Sequence, residues 1–200
     1  MTNTPIVVGR VLRSSTTGYT IGTKVLKAEV PHFGDFVKVH VSNGCDVVGL
    51  IADVVIRDDP FIRQLAAPDV DREIIEDHRE NRLAIEVSVV VIGYVEHGYF
   101  YQHMPIQPPT ALEEIWTCTD SEIAGFTQGD LAYFQTVLSN KDSQTDELLA
   151  ASLRRAAATH QDQQKFLIKA GRELARLFAF DMIRLENVFR RLKQYKAGEL

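Results

Sequence analysis

Apolar and polar positions alternate in steps of two through the first hundred residues. Val37, Val39 and Val41 alternate with Lys38 and His40, which predicts a strand over 36–41 with one face buried and one wet. Ile85, Val87, Val89 and Val91 repeat the pattern over 85–94. Further strands are expected at 7–12, where Gly9 allows a bend, at 19–25, at 46–56 and at the aromatic run Tyr99-Phe100-Tyr101. Asn43-Gly44 and His97-Gly98 are suited to tight hairpin turns. Strands this short cannot bury a face alone. A small, closed antiparallel β-barrel would solve that and remove exposed edges.

The period changes after Pro105, Pro108 and Pro109, which are expected to form a linker. Thr119 followed by Glu122 is a capping-box signature for a short helix, and Gly125 and Gly129 are expected to end it. Further helices are expected near 130–138 and over 145–159, the latter with Leu148, Leu149, Leu153 and Ala156 on one side. The last stretch, 162–196, predicts one long helix. Its apolar seam runs through Leu167, Leu174, Leu177, Phe178, Met182, Leu185, Phe189 and Leu192, and a seam that long implies a second chain. The expected fold class is therefore α+β: a barrel over 1–109 and a helical oligomerisation or docking region over 110–200. An acidic insertion at 57–82 interrupts the barrel, with a helix near 70–82 opened by Asp69, Asp71 and Glu73.

Charge refines this division. The 200-residue chain carries a net charge of −5, yet residues 161–200 alone hold nine Lys/Arg against five Asp/Glu. The basic cluster Arg184, Arg190, Arg191, Lys193 and Lys196 is the surface best suited to touch phosphates, although cations near a helix C-terminus also offset its dipole. Two cysteines, Cys45 and Cys118, without a CxxC pair point to neither a disulfide framework nor a zinc knuckle. The start of the chain reads as no secretion signal and no apolar run is long enough to span a bilayer, so a cytoplasmic protein without membrane contact is expected.

Candidate chemistry is sparse. The six histidines show no HxH or HExxH spacing, although His97 and His103 flank one hairpin. Asp69, Asp71 and Glu73 resemble a carboxylate cluster for a hard cation, but a helix opening accounts for them. Neither cysteine has a neighbouring base or oxyanion-hole motif. Tyr94, Tyr99, Phe100 and Tyr101 could stack on bases, yet the hairpin lacks cations to track phosphates, so strand packing is the better account. No catalytic residue, metal or cofactor is expected.

Three segments carry a resemblance: Val8-Gly9-Arg10-Val11, Phe33-Gly34-Asp35-Phe36-Val37, and the run from Val47 to Val54. With Val-Val-Ile-Gly at 90–93 and Pro-Pro at 108–109, the first 110 residues or so resemble the HAS barrel. That is the N-terminal β-barrel shared by HerA-type DNA-translocating ATPases and the catalytic subunits of rotary ATP synthases. In HerA proteins it crowns a hexameric motor and helps to contact the nuclease NurA. Here no glycine is followed by lysine, so the phosphate-binding loop of the motor is missing. The resemblance thus implies a non-enzymatic docking or assembly protein that serves an ATPase or nuclease partner, while the apolar seam from Leu167 to Leu192 is expected to hold copies together as a homo-oligomer. The alternative is a nucleic-acid-binding protein that uses the basic C-terminal helix.

Overall fold

β-branched residues dominate the strands because they fit the pleated, half-buried wall of a small barrel. The computed structural model describes residues 4–23, 32–42, 44–56, 72–73, 85–141 and 144–192. Within them lie β1 (Val7–Ser14), β2 (Gly18–Thr23), β3 (Phe36–His40), β4 (Cys45–Ile56), β5 (Ile85–Glu96), β6 (Tyr99–Tyr101) and β7 (Glu114–Thr117). Six of them close a ring in the order β1-β2-β5-β4-β3-β7, every neighbouring pair antiparallel, and β6 extends from β5 outside the ring. The expected closed antiparallel barrel is present.

Bulges bend the ring. Pairing of β4 with β5 skips one residue between Val48–Gly93 and Gly49–Val91, and β1 slips against both of its neighbours. The β5–β6 hairpin turns on His97 and Gly98, both at positive φ (51° and 80°), as a two-residue turn matched to strand twist requires.

Side chains from alternate positions fill the interior: Val11, Ile21, Val37, Val39, Val47, Ile51, Val87, Val89, Val91 and Ile115 are all buried there. The opposite face of β3, β4 and β5 is buried as well. Phe36, Val48, Leu50, Val90 and Ile92 lie in a second core with the helices. This explains why β4 and β5 read as nearly continuous apolar runs.

The helices are α1 (Asp120–Gln128), α2 (Tyr133–Leu138), α3 (Thr145–Ala157), α4 (Gln163–Leu177) and α5 (Met182–Leu192). Thr119 and Glu122 cap α1 reciprocally, as their spacing predicts. Phe36, Phe126 and Tyr133 pack with ring centroids 5.9–6.5 Å apart and lock α1 and α2 to the barrel wall. Gly34 lets α3 approach: a Cβ there would stand 2.4 Å from that of Ala151, and its φ of +85° suits glycine alone. Ion pairs seal the same junction, Lys38 of β3 with Glu122 of α1, and Arg155 of α3 with Asp120 at 2.7 Å.

Three expectations change. The single helix over 162–196 is two helices, α4 and α5, because the chain turns at 178–181. No glycine or proline marks that turn. Asp181 makes it instead, its carboxylate accepting from the backbone N–H of Arg184 at 3.0 Å and so opening a new helix. The boundary at 109 also moves. Strand β7 lies beyond it and stands between β1 and β3, so the barrel closes only with residues from the supposed helical region. Gly125, expected to help end α1, sits inside that helix. Of the helix expected near 70–82, only Arg72 and Glu73 fall within the described residues, and both are helical.

Candidate functional site

The turn between α4 and α5 projects the most exposed aromatic side chain of the described residues. Phe180 is fully exposed (105 %), and beside it Met182 and Ile183 are 65 % and 77 % exposed. Phe178, two residues earlier, points the other way into the core. The geometry follows from the turn: once Asp181 restarts the helix, the buried face passes from Phe178 to Leu185 and Val188. Residues 180, 182 and 183 are left on the outer corner. Ile183, Glu186 and Arg190 follow at i, i+3 and i+7 on one face of α5, and the last two form an ion pair at 2.8 Å. Glu173 and Arg176 pair at 2.5 Å near the end of α4.

The residues expected to hold two copies together divide between core and surface. Leu174, Phe178 and Leu185 are buried within the chain, and Leu177, Phe189 and Leu192 pack partly buried against the same core. Only Leu167 and Met182 of that set are exposed. The apolar seam is therefore spent on α3 and the core it shares with the other helices. Phe180 and Ile183, which the seam omitted, are the exposed ones. The Asp at 181 inside an apolar run was the one available signal for them.

The basic cluster is largely neutralised. Arg184 donates from Nη2 and Nε to both carboxylate oxygens of Asp146 (2.7 and 3.1 Å) and lies 5.1 Å from the Phe178 ring centroid. Arg191 pairs with Glu147, and Arg190 with Glu186. Donating to the Asp146 carboxylate raises the Arg184 guanidinium pKa further. Lys193 and Lys196 lie outside the described residues. Arg184 and Arg191 fasten α5 to the N-terminus of α3, whose first turn carries Asp146 and Glu147.

The other candidates are packed away or apart. Tyr94 stacks on Tyr101 at 4.9 Å, and His103 meets both rings edge-on, while His97 sits in the hairpin turn. Cys45 and Cys118 are buried, and burial, then the nearby Glu122 carboxylate, pushes the Cys118 thiol far above its usual pKa. Asp69 and Asp71 lie outside the described residues, whereas Glu73 is exposed on its short helical stretch. Among the described residues no three His, Cys, Asp or Glu side chains converge as a metal would need. No helix among them is long and apolar enough to cross a membrane. No protein-family model and no curated protein matches the chain.

Proposed function

We propose that this chain is a non-catalytic assembly protein, a HAS-like barrel that docks onto a HerA-type DNA-processing ATPase or nuclease and associates with a second copy of itself through the α4–α5 corner. The observation that carries it is the adjacent exposure of Phe180, Met182 and Ile183. Singly exposed apolar residues are ordinary, whereas a group on one corner favours a protein contact. A second copy suits that corner because the Glu173–Arg176 and Glu186–Arg190 pairs offer both signs of charge near it. Across a two-fold axis each sign would face its opposite. The HerA-type partner rests on the resemblance of the barrel segments, and the closed antiparallel ring is consistent with it.

The nucleic-acid reading through the C-terminal arginines has less support, since Arg184, Arg190 and Arg191 already face carboxylates. Sedimentation of the wild type and of a Phe180→Asp/Ile183→Asp variant tests the self-association. A dimer that becomes a monomer with unchanged thermal stability supports it. A wild type already monomeric at about 100 μM, weaker than specific protein interfaces normally are, removes it. The partner assignment falls separately if a purified HerA-type hexamer shows no binding in the same concentration range.

A further inference from the structure

A groove of about 1140 Å³ runs along α4 between the end of α1 and the α3–α4 connection, on residues that the docking corner does not use. Lys165, Lys169 and Arg172 occupy i, i+4 and i+7 of α4 and line it together. The stripe extends over about 10 Å of helix at 1.5 Å rise per residue. Its charges differ from those elsewhere. The cations of the barrel strands, Arg10, Arg13 and Lys38, face carboxylates, as do those of α5. Among the described residues Lys165 and Arg172 form no ion pair, and the Lys169 ammonium donates to neutral carbonyls at the end of α1, that of Gln128 at 2.7 Å and that of Gly129. Among the described residues the one carboxylate lining the groove, Asp162, accepts from the backbone N–H of Lys165 as the cap of α4, and Asp130 beyond the lining acts on Lys169 only through its charge. Three lining cations against the capped Asp162 and the more distant Asp130 leave a local positive strip on a chain of net charge −5.

We infer that this groove binds the phosphate backbone of single-stranded nucleic acid. A single phosphate would call for cations converging on one point, whereas these form a line on one helix face that suits a linear polyanion. The neutral lining favours a nucleic acid over an acidic peptide. Gln128, Gln164 and Thr159 offer donors and acceptors together, which match base and sugar edges, while further carboxylates would use the donors alone. His160, half-buried on the groove floor and stacked on Phe166 at 4.2 Å, adds a flat ring edge.

The test is fluorescence anisotropy of a labelled thymidine oligonucleotide with the full chain over a range of salt. Binding should weaken with a log–log slope of about −2, as three neutralised phosphates of a single strand require. Lys165→Gln/Arg172→Gln, both exposed and without an ion pair among the described residues, should lower affinity at least tenfold at low salt and reduce the slope by about 1.4. Arg190→Gln and Phe180→Asp/Ile183→Asp should bind as the wild type does, which separates this site from the basic cluster of α5 and from the docking corner. The inference is overturned if the wild type fails to bind at low salt, or if the double glutamine variant binds unchanged. Tighter binding of a glutamate-rich peptide or of duplex DNA would overturn it as well.

Discussion

The inside of the barrel and the wedge between barrel and helices are both dry, yet they are built from different side chains. Among the described residues the interior core holds Val, Ile, Tyr and Cys, with no buried Leu or Phe. The wedge collects Phe36, Phe126, Phe134, Phe166 and Phe178 with Leu148, Leu149, Leu153, Leu174 and Leu185. A narrow ring has room only for compact β-branched groups, whereas a helix laid on a twisted sheet leaves irregular gaps that long or flat side chains fill. Strands β4 and β5 belong to both cores. The contrast in composition therefore does not make two domains. The barrel needs the helices to cover its outer face, and the helices need that face to complete their core.

The largest expected effect tests this dependence directly. A fragment of residues 1–109 loses β7 and uncovers Phe36, Val48, Leu50, Val90 and Ile92. It should show no cooperative thermal transition and no dispersed amide spectrum. A folded fragment would mean that the interior core suffices alone. Next come single substitutions on either side of the α4–α5 turn. Leu174→Asp buries an unpaired charge at a fully buried position and should cost about 4 kcal/mol or more. Phe180→Asp should stay within about 0.5 kcal/mol of wild type, since that side chain touches solvent on all sides. Equal losses in chemical denaturation would erase the distinction between spent and available apolar surface. Arg184→Gln should cost about 1 kcal/mol, because it removes both oxygens' partner on Asp146 and the contact over Phe178 at a partly exposed position.

What could be read beforehand follows the same divide. A two-residue period is a local property, so the strands of the interior core are visible in Val37, Val39 and Val41 or Ile85 to Val91. Strand β7 was not visible, since Glu114–Thr117 offers four residues and buries only Ile115. The turn at 178–181 escaped because apolar residues continue through it and the helical period simply changes phase. The arginines of α5 look free in the sequence because Asp146 and Glu147, which hold Arg184 and Arg191, lie 38 and 44 positions away. The candidate corner was accordingly the least legible part: its residues are defined by what the fold leaves uncovered, and that depends on contacts no local pattern encodes.

The two cores should also part company in acid. Among the described residues the interior core contains no carboxylate, histidine, lysine or arginine, so pH should act first on the helical layer. At its junction with the barrel, burial pushes the Glu122 carboxyl up, but the bonds from Lys38 and Thr119 outweigh it and hold the group below its ordinary value. A depressed carboxyl stabilises the fold above its unfolded pKa of about 4.3 and loses that contribution as pH falls through the lower folded value. Lys38→Met should therefore cost about 1 kcal/mol or less at neutral pH, the pair being partly exposed, and the gap from wild type should close below about pH 4.

A smaller effect appears earlier, at His160. Thr127 donates its hydroxyl proton to the Ile123 carbonyl at 2.7 Å, so the imidazole must donate from Nε2 to the Thr127 oxygen at 2.8 Å. The neutral ring thus carries its proton on Nε2, and a second proton would enter at Nδ1. Burial, and then the charge of Lys169, lower its pKa below the ordinary histidine value. The unfolded chain takes up that proton first, so stability from this site is complete above about pH 6.5 and declines as pH drops through the folded value. His160→Gln keeps a donor for Thr127 and removes the titration. It should flatten the melting-temperature profile between about pH 7 and pH 5 by an amount worth a few tenths of a kcal/mol for a half-buried ring. Hydrogen exchange of the wild type across the same interval should then show α1 and α4 amides losing protection while those of β4 and β5 hold. Simultaneous loss in strands and helices would show that the shared strands couple the cores too tightly for either to respond alone.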